Sequence, residues 1–506
     1  MTGDPSTTPR TRGTATFTPL VVGVAFLIAI ALRFTAPSPL WLDEALSLHI
    51  ATGEAPLSDA LRQDGHPALY YLVLGVWIDL FGESDAAARA LSGVVAVATL
   101  PVLWLAARRH GHATAVATVL LAGSSPYLIR YATEVRMYAL LVLLIALGWL
   151  ALERAWEQPT TGPLLAVAAA TAAALHTHYW SFYAVAAAGL IIASAGWRNR
   201  SQVRRCISIL GAMAVGAVTF VPWLPVFVDQ LRDTGTPWAD RARPTEVFIE
   251  TLQGIGGNNR FEGETLGILL AFLAVVGVFA VGAARDGEVR LRADIPLAVR
   301  LPVAAALLGL GIGSLVAIAT AGAFEARYAA IAIPFILVLA GRGAAVLDRR
   351  ARTVVIALMI VLGFAVSIDE ARRTRSQGEE VAAAIDAGVA ADDVVILCPD
   401  QVGPATTHYL ESDVTRRAFP SGDGYTIDWR NYLDRATTTD PVGFADAALA
   451  DAGDGAIWFV TGLGYRGLDQ PCATVQAHLS SQRAGQQVVG LTDVFEGMYA
   501  IRFGAS

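Results

Sequence analysis

Two adjacent carboxylates, Asp43 and Glu44, stand in the stretch Leu40 to Leu48, just past a long apolar run from Phe17 to Phe34. Ionised acids at a membrane interface are costly unless a reaction or a partner uses them. The pair therefore suggests a general base over a lipid-borne substrate, with both residues as catalytic candidates. The alternative is two solvated acids capping a surface helix. Trp41 suits an interfacial anchor, and from Glu44 onward Leu46 and Ile50 flank Ser47 and His49 as in a short amphipathic helix.

Other polar groups fall in connections on the same side. Tyr131-Ala132-Thr133-Glu134-Val135-Arg136-Met137-Tyr138 opens one apolar run, His176-Thr177-His178-Tyr179-Trp180 joins two others, and Phe324-Glu325-Ala326-Arg327-Tyr328 opens a further one. Arg136 and Arg327 lie near that interface against the trend for basic residues, so each calls for an anionic partner. A guanidinium holds a lipid phosphate through two hydrogen bonds, and the nearby Tyr138 or Tyr328 adds a third. The competing assignment pairs Arg136 with Glu134 and Arg327 with Glu325 as snorkelling interfacial ions. His176 and His178 with Asp43 or Glu44 are candidate ligands of a divalent metal ion. Positions i and i+2 do not share a helix face, so the metal stays open and no other cofactor is indicated. His66, directly before Pro67, either reaches the same cavity or caps an exposed helix.

The elements that must position these groups are helices in a bilayer. The 506 residues are 54% hydrophobic and only 16% charged, with a mean hydropathy of +0.50, which points to a polytopic α-helical membrane protein. All 37 basic residues are arginine, so lysine is excluded as a phosphate ligand or Schiff-base former. The net charge of -7 is spread along the chain and shows no basic face for nucleic acid. Apolar runs at 17–36, 86–107, 113–128, 136–154, 162–179, 181–197, 206–227, 265–284, 300–321, 327–347 and 353–369 predict about eleven spans. Arginines fall on every second connection (Arg108-Arg109, Arg154, Arg198 to Arg205, Arg285 to Arg300, Arg342 to Arg352), which puts those connections and the N-terminus in the cytoplasm.

This topology leaves Asp43 and the C-terminal region on the outer face of a plasma membrane. Residues 1–16 then form a cytoplasmic tail and 17–36 a retained first span rather than a signal peptide. Residues 17–370 form the catalytic membrane domain, whose outer loop 37–85 carries the acidic pair. The run from His66 to Phe81 is predicted to lie along the membrane surface. The stretch from Val228 to Leu266, with Trp238 and Gly256-Gly257-Asn258-Asn259, is predicted to be a mobile cover. A linker at 371–380 leads into an α/β domain at 381–506, with a helix-like Glu380 to Ala387 and strand-like Val394 to Cys398, Ala456 to Val460 and Met498 to Phe503. Cys398 and Cys472 fall in this domain and leave a disulfide between them open.

These motifs together resemble the GT-C superfamily of membrane glycosyltransferases, in the branch of protein O-mannosyltransferases and the aminoarabinose transferase acting on lipid A. The resemblance rests on Trp41 to Glu44, Asp64 to Tyr71, Tyr131 to Tyr138, His176 to Trp180, and Ala326-Arg327-Tyr328 with Pro334, and it covers about residues 17–370. It implies inverting transfer of a sugar from a polyprenyl-phosphate carrier, with Asp43 as base and His66, Arg136 and Arg327 at the donor phosphate. Tyr70, Tyr131, Glu134, His176, His178, Tyr179 and Trp238 are then expected to line the substrate cavity. The aminoarabinose branch has a Glu-Lys pair before the Pro of the surface helix, where this chain has Gly65-His66. The expected partners are the lipid-linked donor, a glycan, lipid or protein acceptor, and membrane lipids. Competing readings are a lipid-linked sugar flippase, a scaffold, or an arabinosyltransferase of the same superfamily.

Overall fold

The computed structural model describes all residues except 1–16, 54–55, 235–242, 258–259, 282–287, 293–294, 296, 321, 466–467 and 505–506. It opens with α1 (Phe17–Leu32) and three short helices, α2 (Leu42–Thr52), α3 (Leu57–Asp64) and α4 (Leu69–Phe81). A helical bundle follows. Its first half is α5 (Asp85–Arg108), α6 (His112–Gly123), α7 (Pro126–Ala132), α8 (Tyr138–Glu157), α9 (Thr161–Leu175) and α10 (Ser181–Arg198). Its second half is α11 (Val203–Val218), α12 (Leu224–Asp233), α13 (Pro244–Gly256), α14 (Phe261–Phe279), α15 (Leu297–Thr320), α16 (Ile333–Val346) and α17 (Arg349–Arg372).

Each apolar run is mainly helical over its described residues, but among these only six helical stretches are long and apolar enough to cross a membrane. A seventh is added if α6 and α7, bent by 53°, count as one span. Helices α9 and α16 have 15 and 14 residues, which at about 1.5 Å per residue falls short of a hydrocarbon core of about 30 Å. The bend between α6 and α7 has a local cause: Ser125 accepts the Leu128 N–H and Pro126 takes the first helical position. Helix α4 has 13 residues and is likewise too short to span. It buries Tyr70, Tyr71, Leu74 and Ile78 against its neighbours and leaves Leu72, Val76 and Leu80 exposed.

Small residues bring the bundle together where no large side chain fits. A Cβ on Gly277 would lie 1.9 Å from the Leu339 carbonyl, and one on Gly343 would lie 1.9 Å from that of Leu273. Helices α14 and α16 are therefore in backbone contact through the second half of α16, and the 3-10 turn Ala326–Ile331 leads into the start of α16. The predicted cover from Val228 to Leu266 differs from expectation, because much of it is α12, α13 and the start of α14. A Cβ on Gly256 would lie 1.9 Å from the Gly263 carbonyl, and Gly257, at φ +101°, ends α13. These glycines serve a tight helix junction rather than a hinge. Trp238, Asn258 and Asn259 lie outside the described residues.

The C-terminal part is an α/β unit. Its elements are α18 (Gly378–Asp386), β1 (Val394–Leu397), α19 (Gly403–Tyr409), β2 (Thr415–Ala418), α20 (Tyr432–Thr438), α21 (Pro441–Ala452), β3 (Ile457–Gly462), α22 (Asp469–Gln482), β4 (Gly485–Val489) and β5 (Met498–Phe503). The sheet order is β2-β1-β3-β5-β4, with β1 parallel to β2 and β3, and β5 antiparallel to β3 and β4. Alternate residues feed two cores, as the pleat requires: Val394, Ile396 and Phe459 pack with α21 and α22, while Val395, Leu397 and Val460 pack with α18. Cys398 and Cys472 are disulfide-bonded. The stretch expected to be a linker is pinned, since Arg375 and Ser376 are buried and Ser376 pairs with Glu496 as a parallel bridge.

Candidate active site

The two acids of the opening motif face different surroundings, because consecutive residues on a helix point about 100° apart. Asp43 keeps a side-chain exposure of 17% and meets two guanidiniums: Arg327 Nη1 at 3.1 Å and Arg136 Nε at 3.8 Å. Glu44 is fully buried. Its carboxylate takes a two-pronged contact from Arg89, Nε at 2.8 Å and Nη2 at 2.6 Å, and accepts the Val135 N–H at 3.0 Å. Arg375 lies 3.8 Å away. Burial alone would raise the pKa of Glu44, but the charge and hydrogen bonds of Arg89, with Arg375 and the Val135 N–H, bring it below the ordinary value. Placed as a catalytic candidate from sequence, Glu44 instead joins α2 to α5 and to the segment before α8.

Arg136 and Arg327 do not pair with the acids beside them in sequence. Arg136 donates to Ser47 Oγ at 3.1 Å and has Nη2 3.3 Å from His66 Nε2. Glu134 is buried and accepts the Trp41 indole N–H at 3.1 Å, with Arg130 at 3.9 Å. Trp41 is therefore no interfacial anchor. Its ring is buried, and its edge meets Phe495 at 5.1 Å. The Arg327 carbonyl accepts the Tyr127 hydroxyl at 2.7 Å, which holds the turn that presents the guanidinium.

His66 is aimed by Gly65, whose φ of +88° closes α3 in a conformation that suits glycine. Asp64 accepts His66 Nδ1–H at 2.9 Å and the Tyr71 hydroxyl at 2.6 Å, so His66 Nε2 is left as an acceptor facing Arg136. Burial would raise the Asp64 carboxyl, but His66 and Arg136 hold it down at about 2. His178 is buried with its ring 5.8 Å from His66, 5.6 Å from Tyr138 and 5.4 Å from Tyr328. Its Nδ1 accepts the Trp180 N–H at 3.1 Å, so Nε2 carries the proton. Tyr328 stacks on Trp180 at 5.2 Å, and Tyr131 packs between Tyr127 and Tyr138.

A group of donors at this cluster has no hydrogen-bond partner. Among the described residues, Arg136 Nε, Arg327 Nε, His178 Nε2 and the Tyr70 hydroxyl are all buried without one. Such groups are costly to leave unpaired, and all but Arg136 Nε and Arg327 Nε are neutral donors. One carboxylate set between two guanidiniums leaves positive charge to spare. The arrangement is chemically suited to an anion with several acceptor oxygens, next to a carboxylate able to take a proton. Among the described residues no three His, Cys, Asp or Glu converge as metal ligands.

The structure thus brings together Asp43, His66, Arg136, Tyr138, His178, Arg327 and Tyr328. Two residues expected in the cavity turn elsewhere. His176 contacts the Thr219 carbonyl at 3.2 Å and the Phe220 ring. Tyr179 donates to Gln230, accepts from Trp223 at 3.2 Å and packs on Phe182 and Phe227. Sequence reasoning missed Arg89 and Arg375, and it gave Asp64 and Ser47 no role although both lie in stretches it singled out. For Arg89 a signal existed, a lone arginine near the start of an apolar run, the same feature that singled out Arg136 and Arg327.

The family model for dolichyl-phosphate-mannose-protein mannosyltransferases matches residues 65–225. No curated protein sequence matches the chain. Among solved structures, ArnT from Cupriavidus metallidurans bound to undecaprenyl phosphate is similar at a TM-score of 0.62 and 14% identity, over 96% of this chain and 98% of that one. The apo form of the same protein gives a TM-score of 0.61 at 14% identity, over 96% and 97%. Arabinofuranosyltransferase AftD from Mycobacteria gives 0.54 at 16% identity, over 97% of this chain and 40% of AftD. The chain has the fold of the GT-C superfamily, and the resemblance read from its motifs is borne out.

Proposed function

We propose that this chain, built on the GT-C fold, is an inverting glycosyltransferase that moves a sugar, mannose or another hexose or pentose, from a polyprenyl-phosphate carrier to a hydroxyl of a cell-envelope acceptor. The observation that carries the reading is the meeting of Asp43 with Arg136 and Arg327, in company with His178 Nε2 and further buried donors that lack partners. The family match over residues 65–225 and the likeness to ArnT bound to undecaprenyl phosphate support the donor class.

In this mechanism the donor phosphate draws Arg327 and Arg136 away from Asp43 and takes hydrogen bonds from them, with Tyr138, Tyr328, His66 and His178 around it. The released Asp43 carboxylate accepts the proton of the acceptor hydroxyl as that oxygen attacks the anomeric carbon. The bond from the anomeric carbon to the phosphate oxygen breaks, its electron pair stays on the phosphate, and the guanidiniums neutralise the charge that develops there. Binding of the donor would thereby activate the base. Glu44 acts as a positioning residue, through Arg89.

The arginine pattern of the connections and the Cys398–Cys472 bridge support a multi-pass plasma-membrane protein with site and C-terminal domain extracytoplasmic. The test is a donor screen. The protein reconstituted in nanodiscs is offered undecaprenyl-phosphate-linked mannose, arabinose, aminoarabinose and glucose, and release of undecaprenyl phosphate is followed. Turnover of one of these is expected. Turnover of none, alongside normal binding of a nucleotide sugar, would overturn the reading. Mass spectrometry of envelope glycans from a deletion strain would then name the sugar and acceptor.

A further inference from the structure

Helix α2 carries Asp43 at its second residue but has no N-cap of its own, since the N-cap position is Trp41, whose side chain makes no capping hydrogen bond. A helix start leaves N–H groups without partners, and here the partners come from the far end of the chain. Leu42 N–H is shared by both carboxyl oxygens of Glu496, at 3.2 Å each. Leu40 N–H is taken by the Tyr409 hydroxyl at 2.6 Å, and Ser38 Oγ accepts the Arg375 N–H at 2.7 Å. Glu496 is buried, and the segment holding it is bonded to 375–377 through Glu496 N–H to the Arg375 carbonyl at 2.8 Å and Gln377 N–H to the Glu496 carbonyl at 3.2 Å.

We propose that Glu496 is a positioning residue, the cap that the C-terminal domain supplies to the Asp43 helix, and that this domain thereby sets where the base stands. The inference rests on the reading of Asp43 as the base. It gives the α/β domain a catalytic task without any contact to substrate. Tyr409 adds a second hold two residues earlier, at Leu40, and is itself fixed by Asp85 at 2.5 Å. The capping role needs an acceptor oxygen at position 496, not a charge.

The test uses the full-length protein in nanodiscs with an undecaprenyl-phosphate-linked sugar as donor. Glu496→Ala is expected to lower kcat about tenfold while the donor KM stays within about twofold, because the lost hydrogen bond positions the base rather than the donor. Glu496→Gln, which keeps a carbonyl acceptor, is expected to retain most of kcat. An unchanged kcat in Glu496→Ala, or a Gln variant as impaired as Ala, would overturn the proposal. If Glu496→Ala is not recovered folded, Tyr409→Phe carries the decision, with a lowered kcat at unchanged KM expected and a wild-type kcat overturning it. Asp43→Asn measured in parallel separates the two claims. An inactive Asp43→Asn beside an unimpaired Glu496→Ala removes the capping inference alone, and an active Asp43→Asn removes both.

Discussion

Asp43 and Arg327 stand 284 positions apart in the chain, yet Oδ2 of one lies 3.1 Å from Nη1 of the other. The contact joins the first turn of α2 to the turn that precedes α16. Two independent contacts flank it: the trans cap on α2, and the Tyr127 hydroxyl that holds the Arg327 carbonyl on the other side.

If the guanidiniums hold the donor phosphate, removing one should show first in binding. Arg327→Ala and Arg136→Ala are each expected to weaken undecaprenyl phosphate binding by roughly 10- to 100-fold, in line with about 1.5–3 kcal/mol for a charge-assisted hydrogen bond. Titration of the lipid into nanodisc-held protein checks this. An unchanged affinity for Arg327→Ala would take it out of the phosphate site.

The buried pair of Glu44 and Arg89 should act on stability. Arg89→Ala leaves the buried Glu44 carboxylate with only the Val135 N–H and Arg375 at 3.8 Å, and breaking such a pair costs about 3–5 kcal/mol. A large fall in thermal midpoint is expected, read by scanning fluorimetry in detergent. A midpoint within error of wild type would show that the carboxylate finds another partner.

These cases show what was legible in the sequence. Asp43, Arg136 and Arg327 stood out because a charge inside or beside an apolar run is costly and needs a reason. Glu44 carried the same signal but meets different partners, since Arg89 lies 45 positions away and Arg375 in the segment just before α18. Sequence adjacency also suggested pairing Arg136 with Glu134, whereas the tertiary fold gives Glu134 to Trp41. In the C-terminal domain β1, β3 and β5 read as strands because they are apolar. The edge strands β2 (Thr-Arg-Arg-Ala) and β4 (Gly-Gln-Gln-Val-Val) have no alternation to read. Eleven spans were counted from apolar length, but apolar runs do not show where a helix ends, and α9 and α16 stop at 15 and 14 residues.

Glu496 makes stability depend on pH in a defined direction. Burial, with the nearby charges of Asp43 and Glu44, pushes its carboxyl up from 4.5 to about 8, although Ser376 and the Leu42 N–H oppose this. Between those values the folded protein holds a proton that the unfolded chain has released, so stability falls as pH rises from about 4.5 and levels off above about 8. Glu496→Gln should remove this fall, raising the thermal midpoint at pH 8 more than at pH 5. Parallel midpoint curves for the two proteins would contradict it.

Helix α16, which follows the Arg327 turn, packs on α14 through backbone contact in its second half. Gly343→Val places atoms where a Cβ already lies 1.9 Å from the Leu273 carbonyl, so the helices must separate. Loss of monodisperse protein or of lipid binding is expected in size-exclusion and titration experiments. A variant that elutes and binds like wild type would mean that the close approach is dispensable.

The account turns on Asp43 as the group that takes the acceptor's proton while the arginines hold the phosphate. Undecaprenyl phosphate binding and sugar transfer measured side by side in Asp43→Asn test this most directly. The account predicts binding as tight as wild type or tighter, because a competing carboxylate is gone, with transfer reduced by at least about 1,000-fold. Transfer at a near-wild-type rate in Asp43→Asn would contradict it.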